Sequence, residues 1–374
     1  MDKHIRAQFP AALSSTYLNS AAIAPMPTST VRAVAAQLVD VSHSGSRKLS
    51  EWLETKERVR GLIATMLGVK AHDIAFTRNT SDGLCAVAAG MTWERGDNIV
   101  TFAHEFPANY YPWRKLSDDL GVELRRCCER DGGVDQDELI SLIDRRTRLV
   151  AVSSVQYSTG YRIDLERIGR AARDVDALLV ADIIQSFGAS PLDLAAQYVD
   201  AAAGASYKWL CAPEGCGIFY LSDRARERIK PVSRGWTSVD DAWNFADQKQ
   251  DLVADSRAWE TGMGGSAMFC GLEQSLNLIC AAGVEKIAAY LAELTDFLCE
   301  IVPGKRYKIF SPRGKNEKSQ IVSLLPLNGT NSHAAASRLA LDNIVVSSRG
   351  PLLRIAPHFF NDLSDIERLA GNLP

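Results

Sequence analysis

The first part of the chain alternates between short apolar runs and stretches whose apolar residues recur at helical spacing. The runs have the length of strands that are buried in a parallel sheet. They predict strands at 73–77, 98–103, 122–127, 149–153, 178–181 and 201–205. The stretches predict helices at 28–42, 50–67, 81–91, 109–120, 135–143 and 164–175. Such alternation indicates an α/β domain with a mostly parallel sheet.

The pattern changes after one more apolar run, which follows a glycine turn at 215–217. Residues 234–265 show neither helical nor strand periodicity, which predicts an irregular connection. One long helix is predicted over 267–300. The remainder predicts strands at 308–310, 319–326, 345–347 and 352–356 and helices at 331–341 and 362–371. We expect a second, smaller α+β domain, because 374 residues exceed one ordinary core.

Composition narrows the class of protein. With 46% hydrophobic and 23% charged residues the chain is typical of soluble enzymes, and its net charge of −3 does not indicate a nucleic-acid partner. No apolar run approaches the ~20 residues that span a bilayer, and the N-terminal segment lacks the apolar core of a signal peptide. A cytoplasmic location without membrane contact is expected. The eight cysteines are then reduced thiols, and because none has zinc-ligand spacing, no metal site is predicted.

Polar residues follow two of the predicted strands, where ligands of α/β sheets bind. Asp182 follows the run at 178–181, with Gln185 one turn further on. A carboxylate in that position suits a ring nitrogen that must stay protonated, and capping of a helix is the alternative. Lys208 follows the run at 201–205. Burial among apolar neighbours would lower its pKa, as a Schiff-base amine requires, whereas an exposed edge lysine is the alternative.

Two further strand ends carry candidate binding residues. The run at 73–77 leads into a hydroxyl-rich turn with Thr80 and Ser81 and then a helix, which is an anion site in outline or an ordinary cap. Ser206 is a third candidate ligand of phosphate. Phe106 follows the run at 98–103 and has the flat face that stacks on a pyridine ring, although an isolated phenylalanine is more often core.

The order of these motifs resembles that of aminotransferase class V, a group of fold-type I pyridoxal 5′-phosphate (PLP) enzymes. This group includes cysteine desulfurases, isopenicillin-N-epimerase-like enzymes and kynureninases. The resemblance extends from 17–22 to 354–361. It implies a PLP-dependent transferase-like fold, with a large PLP-binding α/β domain at 17–265. The small domain would be built from both chain ends, 1–16 and 266–374.

The resemblance also implies a role for each cofactor residue. Lys208 would hold PLP as a Schiff base and serve as the catalytic base, and Asp182 would pair with the pyridine nitrogen. Gln185 would donate to the ring hydroxyl, and Phe106 would stack on the ring. The implied ligands of the phosphate are Thr80, Ser81, Ser206 and Tyr207.

The substrate end of the implied site is formed by the two ends of the chain. Asn19 and Ala21 would line the pocket, and Arg354 would bind the substrate carboxylate through its planar fork of donors. Five other residues are candidates for the pocket and are not ranked: Tyr110, Trp113, Tyr157, Trp236 and Arg349.

A homodimer with shared active sites is the assembly that the resemblance implies. The segment 259–265 is similar to the loop that reaches the phosphate of the partner chain. The family often has threonine where Met263 stands. Ser266 or backbone N–H groups would then take over that contact, or the contact is absent.

The reaction is less constrained than the cofactor. Desulfurases carry a nucleophilic cysteine on the loop before the carboxylate-binding arginine, and 345–353 has none; the closest earlier one is Cys299. We therefore favour a C–S lyase that acts by β-elimination on a cysteine conjugate in small-molecule biosynthesis. Transamination and epimerisation share the same carbanion and stay open, as does a non-catalytic PLP-binding module. A nucleotide-binding enzyme is disfavoured because both glycine-rich phosphate motifs are missing.

Overall fold

The computed structural model describes residues 3–327 and 329–374. The helices are α1 (Lys3–Arg6), α2 (Pro10–Ser14), α3 (Thr28–Ser44), α4 (Leu49–Leu67), α5 (Thr80–Gly90), α6 (Tyr111–Leu120), α7 (Gln136–Ser141), α8 (Leu165–Asp174), α9 (Asp223–Arg228), α10 (Ser266–Ala282), α11 (Val284–Ile301), α12 (Ser332–Leu341) and α13 (Leu363–Asn372). The strands are β1 (Thr16–Tyr17), β2 (Ile74–Thr77), β3 (Asn98–Phe102), β4 (Glu123–Cys127), β5 (Glu129–Arg130), β6 (Gly133–Val134), β7 (Thr147–Ser153), β8 (Leu178–Asp182), β9 (Ala201–Ala205), β10 (Gly217–Leu221), β11 (Tyr307–Ile309), β12 (Val322–Pro326), β13 (Ile344–Val345), β14 (Ser347–Arg349) and β15 (Leu352–Ile355).

A seven-stranded sheet with strand order β2-β10-β9-β8-β7-β3-β4 forms the centre of the molecule. Strand β10 is antiparallel to both of its neighbours, and the other pairs are parallel. Strands β8, β9 and β10 are buried along their whole length, which explains why they are apolar runs rather than alternating ones. The predicted α/β fold with a mostly parallel sheet is confirmed.

Small residues in β9 allow α5 to lie directly on the sheet. A Cβ atom added at Gly83 would come within 2.9 Å of the Ala203 Cβ, so a larger residue at either position would force α5 away. This close approach fixes the N-terminal turn of α5 beside the ends of the central strands.

A second, antiparallel sheet has the order β11-β12-β15-β14. The start of the chain reaches this region, because β1 pairs with β13 in parallel and Asn19 bridges to Ala356. Asn19 is thereby placed beside β15, which carries Arg354. The boundaries 1–16, 17–265 and 266–374 stay a prediction.

The prediction of one long helix over 267–300 is wrong. Helices α10 and α11 meet at Gly283 and are bent by 75°. Gly283 has φ +82°, a left-handed value that ends α10, and its N–H donates to the carbonyl oxygen of Ile279. Apolar residues keep helical spacing on both sides, so periodicity alone does not reveal the break. The predicted strand at 345–347 is also divided, because β13 and β14 pair with different strands.

No single helix in the described ranges is long and apolar enough to cross a membrane. Only the bent pair α10–α11, taken together, reaches the required length and composition.

We predict that Gly283→Ala lowers the free energy of unfolding by about 1 kcal/mol, because an L-residue is strained at positive φ. The added Cβ has no contact closer than 3.8 Å, so the effect comes from the backbone and not from a clash. Urea unfolding measures it. The matched control is Gly304→Ala, whose added Cβ lies in open space. Equal stability of the two variants would show that Gly283 does not need its left-handed conformation.

Candidate active site

Lys208 and Asp182 lie at the ends of two adjacent central strands. Asp182 is the last residue of β8, Lys208 follows β9, and the two strands pair in register. Only 7% of Lys208 and 2% of Asp182 is exposed. Two ionisable groups of opposite charge are thus enclosed in a region that excludes most water.

The environment of Lys208 favours its neutral amine. Burial lowers the pKa of Lys208, the charge of Asp182 opposes the shift, and the charges of Arg354 and Arg349 add to it. The Nζ atom lies 5.7 Å from the centre of the Phe106 ring. A neutral amine can act as a nucleophile or accept a proton, which an ordinary surface lysine cannot do near neutral pH.

Asp182 does not cap a helix, since no helix begins within the ten residues that follow it. Its Oδ1 accepts a hydrogen bond from the N–H of Ile184 at 2.9 Å. Burial raises the pKa of Asp182, while that hydrogen bond and the charge of Lys208 oppose the rise. Its main-chain oxygen accepts from the N–H and hydroxyl groups of Ser154, which ties β8 to the end of β7.

Gln185 connects three parts of the chain beside this pair. Its Nε2 donates to the carbonyl oxygen of Ala21 at 3.1 Å, and its Oε1 accepts from the indole N–H of Trp209 at 2.9 Å. Ala21 is buried, so the N-terminal segment packs against this region, while the roles of Asn19 and Ala21 in lining a substrate pocket stay predictions. The loop that carries Lys208 and the segment of Ala21 are therefore held together by one amide.

The predicted phosphate turn forms the N-terminal turn of α5. Thr80 is buried and its hydroxyl has no hydrogen-bond partner, whereas Ser81 is exposed. Asn79 caps the helix by accepting from the N–H of Asp82 at 2.9 Å. An unpaired hydroxyl at a helix N-terminus fits an anionic group such as the phosphate of PLP.

The remaining two predicted phosphate ligands differ from each other. The hydroxyl of Ser206 already donates to the carbonyl oxygen of Pro213, so its single proton is not available for a phosphate in this conformation. Tyr207 is half-buried, and its ring centre lies 5.9 Å from the Nζ of Lys208. The roles of Ser206, Tyr207 and Ser81 stay predictions.

Arg354 lies at the other end of the site and is almost completely buried. Its Nη1 donates to the main-chain oxygen of Tyr157 at 2.8 Å, and its Nη2 lies 3.5 Å from the Oδ1 of Asn19. Its Nε is buried without a partner, and none of the carboxylates that the structure describes forms an ion pair with it. Burial and the charge of Arg349 lower the pKa of Arg354 to about 9. Such a guanidinium lacks the anion that buried charges require.

Glu105 is a buried residue that the sequence analysis did not assign to the site. Its carboxylate accepts from the N–H of Ser153 at 2.6 Å, from the hydroxyl of Ser153 at 2.5 Å and from the N–H of Phe106 at 3.2 Å. Burial raises its pKa to about 8. These contacts hold Phe106, whose ring meets Tyr157 edge-on at 5.2 Å and is 41% exposed. The ring is thus partly accessible to a ligand. The signal in the sequence was an acidic residue next to a candidate stacking ring.

His358 is a second residue that was missed, although it lies within the motif at 354–361. Its Nε2 lies 3.0 Å from the main-chain oxygen of Trp209, and its Nδ1 accepts from the N–H of Phe359 at 2.7 Å. Burial lowers its pKa to about 3, so the ring is neutral and Nε2 is the donor. The histidine connects the Lys208 loop to the segment that follows Arg354.

The unranked pocket candidates fall into different places. Trp113 is fully buried and donates to the side chain of Asn109, so it belongs to the core. Tyr157 contacts both Phe106 and Arg354 and lies in the site. Trp236 is 41% exposed and belongs to a surface cluster outside the site.

The segment 259–265 is anchored firmly at its start. Glu260 is buried, pairs with Arg60 at 2.6 Å and with Lys56, and accepts from the N–H of Phe76 at 2.9 Å. Met263, three residues after Glu260, is 46% exposed. The predicted contact of this segment with a partner chain stays a prediction.

The family model described as aminotransferase class-V matches residues 16–355. This chain belongs to the aminotransferase class-V family. It is accordingly a PLP-dependent enzyme that acts on amino acids. The buried lysine, the buried aspartate, the partly exposed aromatic ring and the unpaired hydroxyl at a helix N-terminus all fit that cofactor.

Similar proteins carry more than one activity. The chain is 27% identical to a probable cysteine desulfurase of Methanothermobacter thermautotrophicus, over 99% of this chain and 96% of the relative. It is also 27% identical to the isopenicillin N epimerase of Amycolatopsis lactamdurans, over 96% and 94%. Among solved structures, a cysteine desulfurase from Thermococcus onnurineus has a TM-score of 0.90 at 24% identity, covering 99% of this chain and 96% of that one. The cystine C–S lyase C-DES has a TM-score of 0.91 at 21% identity, covering 98% and 99%. The two structures show the fold alone.

We predict that the free energy of unfolding of His358→Asn depends less on pH than that of the wild type. The imidazole has a pKa of about 3 when folded and an ordinary value of 6.5, so the unfolded chain binds one more proton between these limits. The wild-type free energy of unfolding should therefore fall by an extra ~1.4 kcal/mol per pH unit below 6.5. Asparagine can accept and donate as the ring does without taking up that proton.

Urea unfolding at pH 7, 6 and 5 measures this slope. The control is His333→Asn, which replaces an exposed imidazole and should keep the wild-type slope. Equal slopes for His358→Asn and wild type would contradict a neutral, buried His358.

Proposed function

We propose that this enzyme is a C–S lyase that removes the sulfur substituent of an S-substituted cysteine by β-elimination. The observation that carries the proposal is the buried amine of Lys208, whose pKa is lowered by burial and is affected by the charges of both Asp182 and the guanidinium of Arg354. A base and a carboxylate-binding group in one enclosed site are what proton removal beside a carboxylate requires.

Five residues are proposed to hold the cofactor. Lys208 would bind it covalently, Asp182 would face the ring nitrogen, and Gln185 would face the ring hydroxyl. The unpaired hydroxyl of Thr80 would bind the phosphate, and the partly exposed ring of Phe106 would stack on the cofactor ring. When bound, PLP supplies an electron-withdrawing ring that stabilises the electron pair released at the α-carbon of the substrate.

Substrate binding and proton removal would be carried out by residues of the chain. Arg354 would bind the α-carboxylate through its free donors and so orient the α-hydrogen. Once the substrate amine has displaced Lys208 from the cofactor, the freed Nζ of Lys208 would accept that proton. The electron pair of the C–H bond then forms a Cα–Cβ double bond, and the thiolate leaves with the electrons of the C–S bond. Water converts the released aminoacrylate to pyruvate and ammonium, so no oxidant or reductant is needed.

Two observations support elimination over persulfide formation. The segment 345–353, which leads to Arg354, contains no cysteine that could take up sulfur. Cys299 lies on α11 rather than on that segment. The fold of a cystine C–S lyase, which this chain shares, is compatible with the proposal. The cytoplasmic location is part of the same proposal.

The test is the absorbance spectrum of the purified protein, followed after addition of S-substituted cysteines with detection of pyruvate. We expect a visible band near ~420 nm from the covalently held cofactor and release of pyruvate. The same band without pyruvate, with conversion to an amine form, would replace the proposal by an aminotransferase. Inversion of the α-carbon alone would replace it by an epimerase. A band that does not change when these compounds are added would replace it by a non-catalytic PLP-binding module.

We predict that Lys208→Ala abolishes the visible band and lowers turnover by at least ~10³-fold, because both the covalent link and the base are removed. The matched control is Lys230→Ala, which removes an exposed lysine and should retain both. Full turnover of Lys208→Ala would show that another residue is the base.

We also propose that two copies of the chain form a homodimer through a surface in the segment 234–265. Trp236, Trp243 and Phe245 pack on one another there, with ring centres 5.3 to 6.1 Å apart, and are 41%, 50% and 69% exposed. Exposed aromatic clusters of this kind mark protein–protein contacts. Met263 lies in the same segment, so a partner seated here would meet the loop that is proposed to be shared.

We predict that the purified protein has twice the chain mass of 40.9 kDa in light scattering. Trp243→Ser combined with Phe245→Ser should weaken the dimer by at least ~30-fold, since central aromatic residues dominate such contacts. Leu341→Ser, at a side chain that is 78% exposed at the end of α12, is the control and should leave the mass unchanged. A monomeric wild type would rule out the shared site.

A further inference from the structure

A second guanidinium, that of Arg349, lies near Arg354 without a counter-ion. Arg349 is the last residue of β14 and is half-buried. Its Nη1 donates to the main-chain oxygen of its own neighbour Ser348 at 2.7 Å. Within residues 3–327 and 329–374, no carboxylate forms an ion pair with it. The partial burial of Arg349 removes some of the water that would otherwise solvate its charge, so its free donors are available to an anionic ligand.

Strand pairing places both arginines on one face of the small sheet. In the antiparallel pair β14–β15, Ser347 lies opposite Arg354, and Arg349 lies two residues beyond Ser347. Opposite residues and residues two apart share a face, which makes Arg349 and Arg354 diagonal neighbours about 7 to 8 Å apart. The hydroxyl of Ser347, between them, is buried and has no hydrogen-bond partner. On this face, therefore, neither guanidinium has a counter-ion among the described residues, and the Ser347 hydroxyl and the Arg354 Nε have no hydrogen-bond partner.

The positive charges on this face of the sheet also affect Lys208. The charges of Arg354 and Arg349 both lower the pKa of Lys208, and burial lowers the pKa of Arg349 itself. Tyr157, the other group near Arg349, opposes that second shift through its phenol. Like charges held together in a poorly hydrated region repel each other strongly. The arrangement is therefore suited to a ligand that brings negative charge.

One carboxylate does not neutralise this face. The α-carboxylate of any amino acid carries one negative charge, and Arg354 would bind it. The two arginines are diagonal neighbours on the sheet. A ligand with a second anionic group, several bonds from the α-carboxylate, could therefore bind Arg349 as well as Arg354. We infer that the substrate is a dianionic amino acid, whose side chain ends in a carboxylate or a sulfur oxyacid that Arg349 binds. This inference rests on the proposed function and adds the chemical class of the sulfur substituent.

Matched ligands that cannot react separate this inference from the reaction itself. The probe is 3-(carboxymethylthio)propionate, which has both carboxylates of S-carboxymethylcysteine but no amine. Its comparison ligand is 3-(carbamoylmethylthio)propionate, in which the distal carboxylate is a neutral amide. Calorimetric titration of the PLP-loaded wild type should show the diacid binding about 10- to 100-fold more tightly, the range for a hydrogen-bonded charge. A third ligand, 3-(sulfomethylthio)propionate, shows whether a sulfur oxyacid binds better than the carboxylate.

Arginine variants assign the preference to one residue. In Arg349→Met the ratio of the two affinities should fall to about 1, and Arg349→Lys should retain part of it. Arg354→Met should weaken both ligands, since both keep the propionate carboxylate. Arg338→Met removes an exposed arginine of α12 and should keep the wild-type ratio.

Two results would overturn the inference. One is equal affinity of wild type for the diacid and the amide. The other is a preference that survives in Arg349→Met. Neither result depends on which reaction the enzyme catalyses, because the probes lack the amine. Failure of the proposed lyase activity would instead appear as a missing band or missing pyruvate in the tests above.

Discussion

The burial of Lys208 beside Asp182 is the constraint on which the rest of the site depends. The pKa of a lysine falls only where water is largely excluded, and a buried carboxylate is tolerated only if a positive group or donors face it. The parallel sheet meets the first condition, because β8 and β9 are covered on both faces and end in the same enclosed region. The hydrogen bond from Ile184 and the charge of the lysine meet the second.

Three hydrogen-bonded connections then hold this pair in place. Gln185 joins the N-terminal segment to the Lys208 loop, His358 joins that loop to the segment after Arg354, and Glu105 fixes the stacking ring against β7. Each connection links residues that are far apart in the sequence. The substrate end is different, because Arg354 and Arg349 are held by main-chain oxygens and keep free donors. Hydrogen-bonded connections around the proposed cofactor residues and guanidiniums with free donors at the proposed substrate end are together typical of a preorganised site.

Much of the fold follows from local pattern. The central strands are recognisable because both faces of the sheet are covered and every position is apolar, and the helices before and between them have distinct apolar faces. The break at Gly283 was not predictable from periodicity, since α10 and α11 each keep helical spacing up to the bend. The division of 345–347 between two sheets was hidden for a related reason. Pairing partners lie far away in sequence, and a three-residue run carries no information about them.

By itself the sequence determined the α/β class, the strand ends that carry Lys208 and Asp182, and the resemblance to class V enzymes, because these depend on residue order and local spacing. Only the tertiary structure decided that Trp113 is core, that the hydroxyl of Ser206 is already engaged and that Glu105 and His358 support the site. It also decided that Arg354 and Arg349 have no counter-ion among the residues that the structure describes. Whether a charge is paired depends on which distant side chains reach it, and that is set by packing and by strand register rather than by neighbours in the chain.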